Sequence, residues 1–452
     1  EWGGVYWSNW AGLSDVARSI QTQRGLGASK VSAPSVGGTI NIVTRNLAAK
    51  KGGFLSYGMG NDGMNKILFS VSSGITKNGW AFTLMGGKNW GNGYIQGTAF
   101  EGYNWFASIS KRINEEHQLT LTAFGAPQWH DQRNSSYGGL TIADWKMVET
   151  VYGVKDHKYN PTFGYRSNGE SYNSYRNSYH KPLISLNHQW QINSKSSLST
   201  SLYVSLGRGS GFSGQGNTEF SPYSYTSWRG AYKGTLYDTF RRSDGTFDYA
   251  AIEEINRTSE YGSALIAARS NNSHDWYGLL STYTTKIGQY LDFYGGIDYR
   301  FYKGVHRNEI SDLFGGTYYL DSERGNVDVK NNIHAADPNW RYQKLGVGDV
   351  VFRDYDGFVM QEGGFFQLEY NKDRLAAFVA GSLSNTGYWR YDRFYYDKEH
   401  AKSKTVNFLG FTAKGGANYN ITDNHNVFAN VGYISRAPKY SYGAFMTSDK
   451  SN

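Results

Sequence analysis

The sequence predicts an all-β membrane protein, built as a large antiparallel transmembrane β-barrel of which about 13 strands are present. Three observations support this fold class. Apolar and polar residues alternate over long stretches, the connections between those stretches are alternately short and long, and the composition is rich in Tyr and Gly without any long apolar run. Together they favour strands that cross a membrane over the strands of a soluble protein.

The composition excludes a helical membrane protein. The chain has 452 residues, of which 16% are aromatic, and it contains 55 Gly but only 7 Pro. No stretch approaches the roughly 18 consecutive apolar residues that a membrane helix needs. Cysteine is absent, so neither disulfide bonds nor thiolate metal sites are available.

The chain is basic, with a formal net charge of +8. Such a surface attracts anionic partners, for example lipopolysaccharide or an anionic ligand, although it is also common in proteins with no special partner. The Lys and Arg residues form no block of the kind that binds nucleic acid, so we expect no nucleic-acid partner.

The clearest predicted strand runs from Ser197 to Gly207. Leu202, Val204 and Leu206 fall on one face, and polar residues alternate with them on the other. Similar alternation starts near residues 52, 65, 80, 100, 117, 180, 196, 273, 291, 357, 374, 404 and 424. Several runs exceed about 10 residues, as tilted membrane strands require, whereas the strands of a soluble sandwich average about 5–6 residues.

The connections between these strands alternate in length. Short turns follow the even-numbered strands, for example at 77–79, 114–116 and 193–195. Long connections follow the odd-numbered strands after the first, near 89–99, 126–179, 208–272, 303–356 and 389–403. Bacterial outer-membrane barrels have this asymmetry, with short periplasmic turns and long extracellular loops.

Residues 1–50 have a different pattern. A helical turn over Asp15 to Ser19 precedes a short strand from Ile20 to Thr22, which ends at Arg24-Gly25. A loop of small residues follows, and Gly37-Gly38 gives a tight turn into the apolar strand Thr39 to Thr44.

This segment resembles the end of the plug domain of TonB-dependent outer-membrane transporters. In that family an Arg-Gly turn precedes a Gly/Ala/Ser loop and a strand of the pattern Gly-Gly-x-Ile-Asn-Ile-x-Thr. The chain departs from the pattern at Lys30-Val31, where the family commonly has Tyr-Gly. The residues that carry the resemblance are Arg24, Gly25, Gly37, Gly38 and Asn41.

The resemblance implies 22 strands in the full barrel. A closed bacterial barrel has an even number of strands, so the odd count of about 13 predicts that further strands belong to it. Residues 1–50 would be the C-terminal part of the plug, lodged in the lumen, and residues 51–452 a partial barrel with long extracellular loops. The sequence starts without a signal peptide, so we expect further residues at both ends.

The resemblance also implies a function, which is TonB-dependent import of a scarce or bulky ligand across the outer membrane. The ligand stays open among iron chelates, haem, cobalamin, glycans and peptides. The implied partners are TonB, bound through a segment upstream of Glu1, the surrounding lipid and lipopolysaccharide, and a surface lipoprotein. The alternative is a passive porin or adhesin-type barrel, and a soluble all-β carbohydrate-binding protein is a third hypothesis.

No enzyme is expected, because the chain has no nucleophile, phosphate-loop or metal-ligand motif. We therefore expect no cofactor, no catalytic residue and no metal site. Aromatic residues beside Arg, Asn and His in the extracellular loops are the candidate ligand contacts, although they equally suit loops that pack on one another. The candidates are Trp90, Tyr94, Trp129, His130, Tyr225, Trp228, Arg229 and Trp340.

The phase of the connections predicts a measurable topology. A protease site inserted in 221–230 should be cleaved on intact cells, because this range lies in a long loop. A site inserted in 193–196 should be protected there and cleaved only after lysis, because that turn is periplasmic. Equal cleavage of both sites on intact cells would contradict the barrel topology.

Overall fold

The computed structural model describes residues 6–10, 12–24, 26, 38–44, 50–133, 140–155, 157–232 and 234–445. Among these residues, no helix is long and apolar enough to cross a membrane. The helices are α1 (Leu13–Val16), α2 (Ile142–Tyr152), α3 (Tyr249–Thr258) and α4 (Pro338–Arg341), with 3-10 turns at Trp7–Trp10, Tyr225–Trp228, Ser322–Asn326 and Ile333–Ala336.

The strands carry most of the fold. In chain order they are β1 (Ala17–Arg24), β2 (Gly38–Thr44), β3 (Gly52–Met59), β4 (Asn65–Ser72), β5 (Trp80–Gly91), β6 (Phe100–Arg112), β7 (His117–Gly125), β8 (Gln128–Asp131), β9 (Phe163–Tyr165), β10 (Ser171–Asn173), β11 (Arg176–His180), β12 (Leu183–Gln191), β13 (Ser196–Gly216), β14 (Ala231–Tyr232), β15 (Thr235–Leu236), β16 (Phe247–Asp248), β17 (Leu265–Ile287), β18 (Leu291–Asp312), β19 (Val350–Lys372), β20 (Leu375–Asp392), β21 (Val406–Thr422) and β22 (His425–Ser435).

One antiparallel sheet runs from β3 to β22 in chain order, without β9, β10 and β14 to β16. It contains thirteen strands, as the sequence predicts, when each interrupted strand is counted once. Two of these strands are interrupted: β7 continues as β8, and β11 continues as β12. Pro127 and Pro182 stand at the two interruptions, since proline has no N–H to donate to the ladder. The sheet is the curved wall of a partial barrel, with β3 and β22 at its edges.

The connections between the sheet strands are alternately short and long, which confirms the predicted pattern. The short ones are 73–79, 113–116, 192–195, 288–290, 373–374 and 423–424. Of the alternate connections, the first, 60–64, is also short, and the later ones are longer: 92–99, 132–175, 217–264, 313–349 and 393–405. The long loops are shorter than predicted because the strands continue past their oily sections. For example, β17 begins at Leu265 rather than near residue 273.

Side-chain alternation separates two faces of this wall. Leu202 and Leu206 are 51% and 45% exposed, whereas Ser205 between them is 5% exposed and its hydroxyl lies 2.8 Å from Nε2 of His274. We call the face that carries Leu202 and Leu206 the outer face, because an exposed oily surface suits lipid contact. The opposite face is the inner face. The predicted assignment of Leu202 to the oily face agrees with this exposure.

Beyond the oily section, the loops cover both faces of the sheet. Four consecutive residues of β17, from Leu265 to Ala268, are at most 1% exposed. Leu265 and Ala267 pack against an aromatic cluster that includes Trp228, Phe247, Tyr249 and Phe314. Ile266 and Ala268 pack on the other side, with Tyr319, Leu345 and Val351. The period-two pattern of exposure therefore ends where the layer of long loops begins.

Arg166 ties two long loops to the end of a strand. Its guanidinium lies 2.6 Å from the Oε1 atom of Glu253 in α3 and 2.7 Å from the Oδ2 atom of Asp312 in β18. Burial would raise the pKa of Glu253, but hydrogen bonds from Ser167 and Arg166 outweigh it and hold the pKa below its ordinary value. The loops are thus fixed to one another by buried charge pairs as well as by aromatic packing.

The N-terminal segment comprises the described residues 6–10, 12–24, 26 and 38–44, and its Val16 packs on the inner face against Leu68 and Met85. β1 and β2 form an antiparallel pair in which Ile20 lies opposite Ile42, which confirms the two predicted strands; the predicted loop between them lies outside the described residues. The helical turn is Leu13–Val16, earlier than the predicted turn over 15–19, and β1 begins directly after it.

The residues of the predicted plug motif are only partly described. Gly38 opens β2, and Asn41 within it donates a 3.3 Å hydrogen bond to Gln21 of β1. Arg24 ends β1, and its side chain lies outside the described part of the chain, as do Gly25 and Gly37. The predicted contact of Arg24 with the inner wall stays a prediction.

The assignment of the two faces predicts that an added charge destabilises the protein much more on the outer face than on the inner face. Leu202→Arg should destabilise the protein by roughly 2–4 kcal/mol if this residue lies near the bilayer midplane. Ser201→Arg, on the inner face one residue away, should cost much less because the guanidinium can reach water in the lumen. Urea titration of the two variants in lipid vesicles measures both changes, and equal losses would contradict the assignment of the faces.

Candidate functional site

A polar cluster lies on the inner face, towards the long-loop ends of the strands. It is formed by side chains from β13, β17, β18 and β19 that project from the same side of the sheet. Neighbouring strands bring them together because the antiparallel register is fixed by the backbone ladder. We call this group the inner-wall cluster; its members are Ser213, Ser270, Asn272, His306, Asn308 and Arg353.

Arg353 is the charged centre of the inner-wall cluster. It donates hydrogen bonds from Nε to Asn308 Oδ1 (3.2 Å) and from an Nη atom to the Ser270 hydroxyl (2.6 Å). Asn308 in turn donates to the Ser213 hydroxyl at 3.2 Å. These partners are neutral, and within the described ranges Arg353 forms no ion pair. Its positive charge is therefore available to an anion in the lumen.

An aromatic and charged group extends the cluster towards β20. The rings of His306 and Tyr355 stack with their centres 4.8 Å apart, and the guanidinium of Arg390 lies 3.8 Å from the centre of the Tyr355 ring. Arg390 also pairs with Asp392 at 2.7 Å, and both are fully buried. Because this pair is neutral overall, it makes the wall rigid without adding net charge beside Arg353.

The N-terminal segment occupies the inner face of the neighbouring strands. Val16 packs with Met85 and Phe106 in a small apolar cluster, and the ring of Trp10 stacks on Phe124 at 6.2 Å. Asp15 pairs with Lys66 of β4 at 2.9 Å. The segment is thus held against the wall by modest apolar contact and one half-exposed ion pair.

Gly12 sets how closely this segment approaches the wall. A Cβ atom at this position would lie 2.0 Å from the side chain of Asn104 in β6. The backbone of Gly12 also has a φ of 83°, which favours glycine over other residues. Both observations require glycine at this contact.

Three of the eight predicted ligand residues lie in strands rather than in loops, which corrects the prediction. Trp90 lies in β5, and Trp129 and His130 lie in β8. The reason is that the hydrogen-bonded ladder continues past Pro127, whose carbonyl accepts from the N–H of Tyr103. Adjacent strand residues point to opposite faces, so Trp129 and His130 cannot contact one ligand together.

Trp90 and Trp129 lie on the outer face. Both stand opposite Glu101 of β6 in the β-ladder, so all three side chains project from the same face. Trp90 shares its side of β5 with Phe82 and Leu84, which are 43% and 51% exposed. Neither tryptophan faces the inner-wall cluster. His130 lies on the inner face, opposite Phe100 and Asn177.

The other predicted residues lie in loops but do not converge. Tyr94 is 52% exposed and bonds His157 at 2.7 Å, while Trp228 is 1% exposed and donates to the carbonyl of Gln215. Arg229 lies over the ring of Tyr225 at 4.8 Å. In a separate loop, the guanidinium of Arg324 lies over the ring of Trp340 at 4.7 Å. Most of these aromatic residues therefore pack loops together.

Sequence reasoning missed the inner-wall cluster. Its signal is the polar stretch 269–275, which continues strand β17 beyond the oily residues without Gly or Pro. A strand that continues with polar residues on both faces has left the membrane while still pairing with its neighbours. This pattern, rather than aromatic content, marks where the polar cluster on the wall forms.

No protein-family model and no curated protein matches the sequence. Among solved structures, the ferric citrate transporter FecA superposes with a TM-score of 0.59 at 14% identity, over 92% of this chain and 49% of that one. The fold is that of the TonB-dependent receptors. The ferric-catecholate import receptor Fiu of Escherichia coli K12 gives 0.59 at 10% identity, over 93% of this chain and 60% of that one.

The ferripyoverdine receptor of the Pseudomonas aeruginosa outer membrane has the same receptor fold. Its TM-score is 0.58 at 13% identity, over 92% of this chain and 46% of that one. The chain thus spans about half the length of the solved receptors that it matches. The receptor fold accounts for the long antiparallel strands, the short turns and the layer of long loops.

The close approach at Gly12 predicts a test of the N-terminal segment. In the Gly12→Val variant the valine side chain should collide with Asn104, so the N-terminal segment should lose contact with the wall. Cells with this variant of the full protein should therefore become more permeable to large antibiotics. Gly348→Ala is the matched control, because Gly348 has a similar φ of 93° but an added Cβ atom there would meet no neighbouring atom within 4 Å. Unchanged permeability in a well-expressed Gly12→Val variant would contradict the close contact of the N-terminal segment with the wall.

Proposed function

We propose that this chain is part of an outer-membrane transporter that imports a scarce or bulky ligand by TonB-coupled displacement of its N-terminal segment. The observation that carries the proposal is the position of that segment against the inner wall of a receptor-type barrel. In this proposal residues 1–50 are the C-terminal part of the plug and residues 51–452 are part of the barrel. TonB would act through a segment upstream of Glu1.

The contacts of the N-terminal segment suit an element that must be released. A half-exposed ion pair such as Asp15–Lys66 contributes about 0–1 kcal/mol. The apolar cluster around Val16 is small, and the exposed side chains of Tyr6 and Trp7 make little contact with the wall. These contacts hold the segment in the lumen and block passive diffusion while no force acts on it. A mechanical pull from the periplasmic side can break them without unfolding the barrel.

The ligand class that fits the inner wall best is an anionic metal chelate. Arg353 presents a charge with only neutral partners, beside the buried and stacked rings of His306 and Tyr355. A guanidinium in this setting binds carboxylate or catecholate oxygens through charge-assisted hydrogen bonds. The relatives named for ferric citrate, ferric catecholate and ferripyoverdine support the same class.

A passive porin is the alternative function, and the N-terminal segment argues against it. An open pore needs an unobstructed lumen, whereas Trp10, Leu13 and Val16 occupy part of the inner wall here. Energy coupling and passive flow also differ in their dependence on TonB, which gives a direct test.

Arg353→Ala should weaken binding of ferric citrate or a ferric catecholate to the full protein by about tenfold to a hundredfold. The reason is that one charge-assisted hydrogen bond contributes roughly 1.5–3 kcal/mol. Arg353→Lys should keep part of the affinity. Arg257→Ala, at a 54% exposed site on α3, is the control and should bind like the unmodified protein.

The measurement is fluorescence quenching of the purified protein, followed by uptake in cells with and without TonB. Uptake should stop without TonB while binding persists. Undiminished uptake in cells that lack TonB would contradict energy coupling. Equal binding by Arg353→Ala, or a preference for a neutral ligand such as cobalamin, would contradict the proposal that the ligand is an anionic chelate. Neither result would bear on the proposal that uptake depends on TonB.

A further inference from the structure

Strand β19 has a bulge beside the inner-wall cluster. The register between β18 and β19 shifts between Arg307 and Glu309, so the three residues 351–353 of β19 lie opposite Asn308. A bulge bends the strand locally and changes the direction in which its side chains point. Arg353 is the last residue of this bulge, and its Nε atom bonds Asn308 across it at 3.2 Å. The shape of the bulge therefore determines where the Arg353 guanidinium lies.

The bulge contains an unfavourable backbone conformation at Phe352. Its φ is 68°, in the left-handed region that residues other than glycine rarely adopt, and bulky ones least of all. Such a conformation persists only where the surrounding contacts enforce it. Phe352 packs against the apolar cluster of Tyr319, Leu345 and Val351, but apolar packing does not fix the direction of a peptide group. The bulge therefore also needs hydrogen bonds to the backbone of Phe352.

Two side chains from the long loops supply these hydrogen bonds. The N–H of Phe352 donates to the Oδ2 atom of Asp321 at 2.8 Å. The carbonyl of Phe352 lies 3.3 Å from the hydroxyl of Tyr395, which also donates to Glu323 at 2.7 Å. Asp321 and Tyr395 belong to consecutive long loops. Both loops thus meet at the residue directly before Arg353.

Asp321 uses both of its carboxylate oxygens in this arrangement. Oδ1 accepts from the N–H of Glu323 at 3.1 Å, at the start of a 3-10 turn, while Oδ2 accepts from Phe352. Asp321 is 5% exposed and forms no ion pair with any described residue. A buried carboxylate needs hydrogen bonds in place of water. These two N–H groups provide them, so the carboxylate of Asp321 joins the loop to the bulge.

We propose that Asp321, in its ionised form, is the positioning residue that fixes the bulge at Phe352 and thereby directs Arg353 towards an anionic chelate in the lumen. The inference rests on the proposed function, in which Arg353 contacts the chelate. An ionised carboxylate offers two acceptors, whereas a protonated acid or an amide turns a hydrogen of its own towards one of the two N–H groups. Loss of the charge at Asp321 therefore releases either the 3-10 turn or the bulge.

Asp321 can change its charge at mildly acidic pH. Burial raises its pKa to about 6, because it outweighs the two backbone hydrogen bonds and Arg324, which lower it. Because the ionised form holds the bulge, affinity for the chelate should be full above this pKa and should fall as the pH drops through it. The charged and titratable side chains around Asp321 are Tyr319, Glu323 and Arg324 of its own loop, with Tyr395 of the next loop against Glu323 and Asp349 near Arg324.

The test uses the purified full protein, with ferric citrate as the probe and fluorescence quenching as the measurement. Asp321→Asn keeps the shape of the side chain and should bind about threefold to tenfold more weakly at neutral pH. Asp328→Asn is the matched control and should bind normally. Asp328 is exposed in the same loop, and its carboxylate also accepts a backbone N–H, from Lys330 at 2.9 Å. Heat-modifiable gel migration checks that each variant is folded.

A pH series separates positioning from a purely structural loss. The ratio of the affinities of the unmodified protein and Asp321→Asn should approach one below about pH 6, where both side chains are neutral. Titration of citrate and of other groups in the protein cancels in this ratio. A ratio that stays constant across the series would contradict the role of the ionised form.

A double variant shows whether Asp321 acts through Arg353. Added to Arg353→Ala, Asp321→Asn should cause little further loss of affinity, because the residue that it positions is already absent. A full further loss, or equal or tighter binding by Asp321→Asn alone, would overturn the positioning role. Tighter binding would mean that Asp321 only repels the anion. Normal binding by Arg353→Ala would instead overturn the proposed chelate contact itself, and the positioning role with it.

Discussion

The continuous pairing of the long strands is the constraint on which the rest of the structure depends. β13 and β17 keep one register from Ser196↔Thr285 to Gly216↔Leu265. Inside a membrane every backbone N–H and C=O must find a partner, and such a ladder supplies one for each. Because side chains alternate strictly along a paired strand, this register also separates lipid contacts from lumen contacts over the oily section of the wall.

The inner-wall cluster follows from this alternation. It uses the section of strand that continues past the oily residues, where the inner face collects polar side chains from four neighbouring strands. Arg353 faces inward with neutral partners, while on the opposite face Arg208 pairs with Asp275 and Arg269 lines a cavity with Asp312. The two faces of one set of strands therefore carry different groups of charged side chains.

The sequence predicted the strands, the turns and the fold class, because these depend on local periodicity and turn residues. It predicted the ligand residues poorly, because packing of distant loops decides which aromatics are exposed. Trp228 looked like a ligand platform, yet Phe247, Tyr249 and Phe314 bury it. Trp129 and His130 were assigned to a loop because Pro127 usually ends a strand, whereas here the ladder resumes directly after it.

The most direct test of the account is to lock the N-terminal segment to the wall. The chain has no cysteine, so Asp15→Cys/Lys66→Cys introduces the only two thiols, at positions whose side chains now pair at 2.9 Å. A short reducible cross-linker between them should abolish uptake, leave binding of the ferric chelate unchanged, and allow uptake again after reduction. Normal uptake by fully cross-linked protein would contradict gated transport.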